Sequence, residues 1–127
     1  MKVGIKNQIK KTVSGDLTAK AMGSGRLDVF ATPAMVAMME EAAHTSVEAE
    51  LEEGQGTVGT SMTVSHLAAT PVGMEVTCES ELIEVDGRKL VFEIKAMDEA
   101  GLIGEAKHER FIIDSEKFLA KTKAKLK

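Results

Sequence analysis

The sequence predicts an α+β fold in which a five-stranded antiparallel sheet curls around one long helix. Residues 34–52, directly after Pro33, contain neither glycine nor proline, and they predict a helix of that length. Four strand-like segments joined by short turns follow the helix, and one more precedes it. A helix that packs on one face of an antiparallel sheet is a stable layer arrangement.

Length and composition exclude several classes of protein. The chain has 127 residues, 43% hydrophobic and 28% charged, which predicts one ordered domain over residues 1–127. A net charge of −4 and the absence of Trp and Tyr give no reason to expect nucleic acid as a partner. A single cysteine, Cys78, excludes an intramolecular disulfide and suits the cytoplasm. No apolar run approaches the roughly 20 residues of a membrane span, so we expect no membrane partner.

The order of the predicted elements narrows the fold further. Strands are predicted at residues 7–13, 57–67, 74–85, 89–97 and 102–113, and Asp86-Gly87 is a hairpin signal between the third and fourth. Residues 14–28 predict a loop, and the tail after residue 113 predicts a short basic surface helix. This order is the hot-dog arrangement. Small sheets of this kind often pair across their edges, so we expect a homodimer.

The long helix places two residues in unusual positions. Thr32 is predicted as its N-cap, Pro33 as its first residue and Gly54 as its stop. A count of about 100° per residue puts Glu40 at the edge of the apolar face and Glu41 on the opposite side. The apolar face itself comprises Met35, Met38, Met39, Ala42, Ala43 and Ser46.

Three residues are candidates for chemistry. Thr32 lies where backbone N–H groups and the helix dipole favour an anion, although a threonine there is more often only a cap. Glu40 beside an apolar face is a candidate base, although most helical glutamates are solvated. His66 ends a strand in which Val58, Thr60, Met62 and Val64 alternate, so it is predicted to point inward. An inward histidine is usually a core residue, yet at a strand end it can serve as a general base.

Metal and thiol chemistry receive no support from the spacing of the relevant residues. His44, His66 and His108 do not have the spacing of metal ligands, and no second cysteine accompanies Cys78. Cys78 falls inside a predicted strand and is expected to be a buried small hydrophobic residue. No metal site is predicted.

Taken together, three segments of the chain resemble the fluoroacetyl-CoA thioesterase family of hot-dog proteins. They are VFATPAMVAMMEEAA, GTVGTSMTVSHLAATPVGMEV and EAKHERFIIDSEKF, and the similarity runs from Val29 to Lys121. The motifs T-x7-E, G-x-S/T-x-x-V-x-H-x-A-A-T-P and H-E-R are specific in combination and weak singly.

The resemblance implies a homodimeric acyl-CoA thioesterase that needs no cofactor, with coenzyme A as part of its substrate. By position it implies Thr32, Glu40 and His66 as the catalytic residues. It implies that Gly59 lies close to the bound acyl group and that Arg110 of H-E-R binds substrate or supports the structure. The family's lid carries a phenylalanine where Arg26 stands in the stretch GSGRLD, so we expect a small acyl group other than a fluorinated one.

Two other functions remain open at this point. A non-catalytic hot-dog protein that binds an acyl-CoA or another small ligand would show binding without turnover. A hot-dog dehydratase or hydratase would use His with a carboxylate for proton abstraction, and it would release an enoyl product.

Overall fold

The computed structural model describes residues 1–126. Within this range the structure has five strands and three helices, namely β1 (Lys6–Thr12), α1 (Ala19–Met22), α2 (Thr32–Ser46), β2 (Gln55–His66), β3 (Glu75–Asp86), β4 (Lys89–Asp98), β5 (Gly101–Asp114) and α3 (Ser115–Lys123). Short 3₁₀ turns occupy Gly15–Leu17 and Glu48–Glu50. Every strand lies within two residues of its predicted bounds, and the predicted basic helix at the C-terminal end is also present.

All five strands join one antiparallel sheet in the order β1-β3-β4-β5-β2. Helix α2 lies across one face of this sheet and contacts all five strands. The α+β prediction is therefore confirmed. Strands β1 and β2 form the two edges, so β2 pairs along one side only, with β5.

The apolar stripe of α2 forms the centre of the core, as predicted. Five of its residues are buried, namely Met35, Met38, Met39, Ala42 and Ala43, and Ser46 is half-buried. A fully buried Met side chain stabilises a fold by about 1.5–3 kcal/mol relative to an exposed one. The three methionines therefore contribute much of the free energy that holds the helix on the sheet.

The predicted end of α2 was wrong. The helix ends at Ser46 rather than near residue 52, and Gly54 lies in the turn before β2 with φ 84°. Side chains of the last turn bond to its carbonyls: Thr45 Oγ1 donates to Glu41 O and Ser46 Oγ to Ala43 O, each at 2.6 Å. Such local bonds compete with continuation of the helix.

The start of α2 also differs from the prediction in a way that matters for the site. The N-cap is Ala31, Thr32 is the first helical residue, and Pro33 is the second. Ala31 is fully buried, and its N–H donates to Leu17 O at 2.9 Å, which holds the chain in an extended conformation there. The Thr32 hydroxyl is consequently not used to cap the helix.

The predicted loop at residues 14–28 contains two short helical turns. The first is the 3₁₀ turn, and the second is α1, which Thr18 caps by accepting from Ala21 N. Gly23, with φ 75°, ends α1 in the left-handed region that favours glycine. One isolated bridge joins Thr18 to Phe30, just before α2, and another joins Val29 to Pro71 in the loop after β2.

A β-bulge in β2 changes which of its residues face α2. The register with β5 shifts between Gly59 and Ser61, so Thr60 is the extra residue, and its Oγ1 donates to Glu109 O. Val58 pairs with Phe111, whereas Gly59 pairs with the buried Arg110. The predicted alternation through Val58 and Thr60 was therefore wrong, because a bulge reverses the faces of a strand.

Within residues 1–126, no helix is both long enough and apolar enough to cross a membrane.

Candidate active site

A cavity of about 320 Å³ opens at the N-terminal end of α2. Its wall combines the segment before the helix, the helix start and the end of β2: Ala19, Ser24, Val29, Phe30, Thr32, His66, Leu67, Ala68 and Ala69. The volume lies at the small end of the range for ligand pockets. Two polar side chains that can take part in a reaction, Thr32 and His66, lie in this mostly apolar wall.

Thr32 and His66 are joined by a hydrogen bond of 2.8 Å between Thr32 Oγ1 and His66 Nδ1. Because Thr32 is the first residue of α2 rather than its cap, its hydroxyl is free to make this contact. With the hydroxyl as donor, Nδ1 is the unprotonated nitrogen and Nε2 carries the ring proton. A hydroxyl that donates to a neutral imidazole has the arrangement of an activated nucleophile or of a group that orients water.

The other nitrogen of His66 is less well satisfied. Among the described residues, His66 Nε2 is a buried side-chain atom with no hydrogen-bond partner. Burial lowers the pKa of His66 below its ordinary value of 6.5, and the backbone of Ala68 opposes this effect only in part. The imidazole is therefore neutral at pH 7, the form in which it can accept a proton.

The helix start supplies donors for a negatively charged oxygen. The first N–H groups of a helix have no intrahelical partner. In α2 the first N–H that donates to a backbone carbonyl four residues earlier is that of Met35, which donates to Ala31 O at 3.0 Å. Pro33 has no N–H, so those of Thr32 and Ala34 remain. They lie at the positive end of the helix dipole, where an oxyanion is favoured.

Glu40 lies in a second cluster with Arg110 and Gly59. Arg110 Nη1 donates to Glu40 Oε2 at 3.1 Å, and a Cβ built on Gly59 would stand 2.7 Å from the same oxygen. The Glu40 side chain is 42% exposed, as its predicted position at the edge of the apolar face requires, while the Arg110 side chain is 8% exposed. Glu41 instead pairs with Lys11 at the surface, as expected.

Arg110 is held from two sides. Its Nε donates to Thr57 Oγ1 at 2.8 Å and its Nη2 to Thr57 O at 3.0 Å, while Nη1 also reaches His108 Nε2 at 3.1 Å. Burial lowers the pKa of Arg110, and the Glu40 charge opposes that effect. An arginine remains protonated at any ordinary pH, so the pair places a fixed cation beside the carboxylate.

Within one chain the two clusters stay apart. Glu40 lies two turns beyond Thr32 on α2, which is roughly 12 Å along the helix axis. The structure thus brings Thr32 to His66, and it brings Glu40 to Gly59 and Arg110. It does not bring all of these residues into one pocket of a single chain.

His108 is a polar core residue whose part in this cluster the sequence did not reveal. It was considered only as a metal ligand, and in the described part of the chain no group of His, Cys, Asp and Glu could hold a metal ion. The one available signal was its position two residues before Arg110, which places both on the same face of β5. Cys78 is buried as expected, and burial raises its pKa to about 12, so its thiol is inert.

The fold and site together define the class of protein. A five-stranded sheet around one helix, with a hydroxyl–imidazole pair at the helix start, is a hot-dog protein of the thioesterase kind. The profile of the fluoroacetyl-CoA-specific thioesterase family, FlK, matches residues 13–116. The chain belongs to this family, and with it to the thioester hydrolases that act on acyl-CoA.

Individual relatives agree with this assignment. The chain is 45% identical over 98 residues to the fluoroacetyl-CoA thioesterase of Streptantibioticus cattleyicolor, over 77% of this chain and 70% of that protein. A solved structure of the fluoroacetyl-CoA thioesterase FlK matches with a TM-score of 0.94 and 37% identity, over 100% of this chain and 98% of that one. A thioesterase superfamily member from Thermus thermophilus matches with a TM-score of 0.88 and 28% identity, over 95% and 90% of the two chains.

Proposed function

We propose that this protein hydrolyses a small acyl-CoA to the free acid and coenzyme A at the cavity that contains Thr32 and His66. The observation that carries the proposal is the 2.8 Å hydrogen bond between these residues beside the start of α2. The cavity thus holds a proton acceptor and a hydroxyl beside the oxyanion donors of the helix start. Thioester cleavage needs these three kinds of group.

The proton acceptor in this reaction is His66 Nδ1. As an oxygen adds to the thioester carbonyl, its proton passes to the imidazole, and the N–H groups at the helix start stabilise the oxyanion. Collapse of the tetrahedral intermediate breaks the carbon–sulfur bond, and the imidazolium returns the proton to the coenzyme A thiolate. The attacking oxygen is either Thr32 Oγ1, followed by hydrolysis of the acyl-threonine, or a water that Thr32 orients.

Glu40 completes the site from a second subunit in this proposal. The β2 edge has unpaired backbone groups, and a homodimer that pairs two β2 strands antiparallel would satisfy them. With Thr60 as the extra residue of the bulge, a two-fold axis that sets Thr63 opposite its own copy would set Gly59 of one subunit opposite His66 of the partner subunit. Glu40, which touches Gly59, would then lie beside the buried Nε2 of that histidine. A carboxylate there would accept a hydrogen bond from Nε2–H and so stabilise the imidazolium that forms when Nδ1 takes up the proton.

The substrate is a short acyl group other than fluoroacetyl. The small cavity limits the length of the chain, and Arg26 stands where the family has an aromatic lid residue. An exposed cation does not supply the apolar cover that a phenylalanine gives. Coenzyme A is the proposed carrier because two of the relatives named above are fluoroacetyl-CoA thioesterases. The buried, free Cys78 is compatible with the cytoplasm as the place of action.

A panel of acyl-CoAs tests the function. Acetyl-, propionyl-, butyryl- and fluoroacetyl-CoA are incubated with the protein, and the free thiol is measured with a colour reagent. We expect turnover of the unfluorinated short acyl groups at rates equal to or above that of fluoroacetyl-CoA. Binding of acyl-CoA without thiol release would identify a binding protein, and an enoyl product would identify a dehydratase or hydratase.

The rate should depend on pH through His66. Only its neutral form accepts a proton, and its pKa is lowered by burial. We expect kcat/KM for acetyl-CoA to decline as the pH falls, because the imidazole then becomes protonated. A kcat/KM that does not decline towards low pH would contradict the assignment of His66 as the base.

Gly59→Ala should lower activity without unfolding the protein. The new Cβ would lie 2.7 Å from Glu40 Oε2 and 3.3 Å from Arg110 Nη1, so the carboxylate must move. A displacement of about 1 Å in a catalytic group costs up to about 100-fold, and we expect a loss of about 10-fold or more in kcat. Gly15→Ala is the control, because nothing lies within 4 Å of its Cβ. Equal rates for the two variants would contradict a role for Glu40.

A further inference from the structure

His108 is a buried histidine that the proposed reaction does not use. His108 lies in β5, opposite Met62 of β2 and Phe92 of β4, and only 2% of its surface is exposed. A polar ring among apolar neighbours is costly unless its nitrogens are hydrogen-bonded. Both are: Nδ1 lies 2.8 Å from Ser61 O, and Nε2 lies 3.1 Å from Arg110 Nη1.

These two partners determine the tautomer. A carbonyl oxygen only accepts, so His108 Nδ1 carries the proton and donates it to Ser61 O. A guanidinium nitrogen only donates, so Nε2 is unprotonated and accepts from Arg110 Nη1. Burial lowers the pKa of His108, and the nearby Arg110 charge lowers it further, although Ser61 and Glu40 oppose this. The neutral Nδ1–H form is the one that satisfies both contacts.

The bulge in β2 makes this arrangement possible. Ser61 is the first residue after the register shift, and its carbonyl turns to the His108 side chain. On the other side of the same shift, Gly59 leaves room for Glu40. The bulge therefore positions the Ser61 carbonyl for His108 and also makes room for Glu40. These residues are the first and last of a series of contacts that runs from Ser61 through His108 and Arg110 to Glu40.

Arg110 links the position of His108 to that of Glu40. Nη1 has two N–H groups in the plane of the guanidinium, and one is directed to His108 Nε2 while the other is directed to Glu40 Oε2. Thr57 holds the opposite edge through Nε and Nη2. Because the two Nη1 hydrogens are fixed relative to each other, the acceptor on His108 determines where the other hydrogen points. Among the described residues, Glu40 Oε1 has no hydrogen-bond partner, so it stays available for the reaction.

We propose that His108 is a positioning residue for Glu40, acting through the Nη1 group of Arg110. This inference rests on the proposed role of Glu40 in thioester hydrolysis. His108 itself touches no reacting atom. It accepts one N–H of Arg110, the other N–H is thereby aimed at Oε2, and the carboxylate is held where the proposed dimer needs it.

Two substitutions separate the functions of the His108 nitrogens. The amide of His108→Asn reaches the Nδ1 position and can still donate to Ser61 O, but nothing replaces Nε2. The longer His108→Gln side chain can present its amide oxygen to Arg110. We expect His108→Asn to lower kcat for acetyl-CoA by roughly 10- to 100-fold with little change in KM, since a misplaced group costs that much. We expect His108→Gln to recover most of the loss, with both variants showing the same melting temperature within a few degrees.

A double-mutant cycle with Glu40→Gln tests whether the effect passes through Glu40. If it does, His108→Asn lowers kcat in the wild-type background and has no further effect in the Glu40→Gln background. The same fold-loss in both backgrounds would overturn this inference and leave the proposed function intact. Full activity of Glu40→Gln alone would overturn the role of Glu40, and this inference with it.

The tautomer gives a readout independent of catalysis. Long-range ¹H–¹⁵N spectra of the wild-type protein at pH 7 distinguish protonated from unprotonated ring nitrogens. We expect His108 to appear as the neutral Nδ1–H form, and His66 to appear as the Nε2–H form. An Nε2–H signal or a doubly protonated ring for His108 would overturn the inference whatever the kinetics show.

Discussion

His66→Asn should reduce kcat/KM for acetyl-CoA by about 100- to 10,000-fold, the usual contribution of a general base. The asparagine amide can occupy the place of Nδ1 and keep a hydrogen-bond partner for Thr32 Oγ1. It cannot accept and hold a proton near pH 7, so the attacking oxygen would have no base. Because His66 lies at the end of an edge strand and beside a cavity, we expect the fold to survive the change.

His44→Asn is the matched control for this experiment. His44 lies on α2, its side chain is 40% exposed, and its partner is the surface residue Glu48 at 3.2 Å. A surface pair of this kind contributes little, so the control should keep the wild-type rate and stability. The assignment of His66 as the base is wrong if its variant retains more than about a tenth of the wild-type rate, given the factors expected of a base.

Glu40→Gln should lower kcat by about 100-fold or more, as expected for the loss of a charged group that acts in proton transfer. The amide oxygen can still accept from Arg110 Nη1, so the local geometry stays close to that of the wild type. What disappears is the negative charge that would stabilise a protonated His66 in the proposed dimer. We therefore expect the loss in kcat rather than in KM, measured with acetyl-CoA at saturating concentration.

The neighbouring residue supplies a control for Glu40. Glu41→Gln removes the same charge one position further along α2, where the carboxylate pairs with Lys11 at the surface. Its kcat should equal that of the wild type. Equal rates for the two glutamine variants would mean that Glu40 is only a structural partner of the buried Arg110.

The sequence predicted the general position of the helix and strands well because local patterns determine them. The spacing of Met35, Met38 and Met39 identified the buried face of α2, and it correctly separated Glu40 from Glu41. Thr32 and His66 were singled out before any contact was known, and the structure joins them by a hydrogen bond. Their catalytic roles stay predictions.

The early end of α2 has a local cause, whereas other features that the sequence did not predict depend on contacts between distant segments. The Thr32 hydroxyl was expected to cap the helix, but Ala31 bonds to Leu17, so the helix starts one residue earlier. The bulge at Thr60 appears only when β2 is aligned with β5. A single strand pattern gives no information on which residues of another strand lie opposite it, and the place of His108 between Ser61 and Arg110 was missed for that reason.

From the division of the site into two clusters we infer that one catalytic site takes Thr32 and His66 from one subunit and Glu40 from the other. Within a chain, Glu40 is held beside Arg110 and lies too far along α2 to reach Thr32. If the claim is right, each single variant should be nearly inactive as a homodimer, while a mixed dimer of two variants should contain one intact site.

Complementation between two inactive variants tests whether the two subunits share the catalytic site. Thr32→Ala and Glu40→Ala proteins carrying different affinity tags are coexpressed, and dimers with both tags are purified. Such a mixed dimer has one site with both changes and one with neither, so we expect about half of the wild-type dimer's rate, from a two-fold pair with two equivalent sites. Mixed dimers as inactive as their parents, with both parents still folded and dimeric, would contradict the claim.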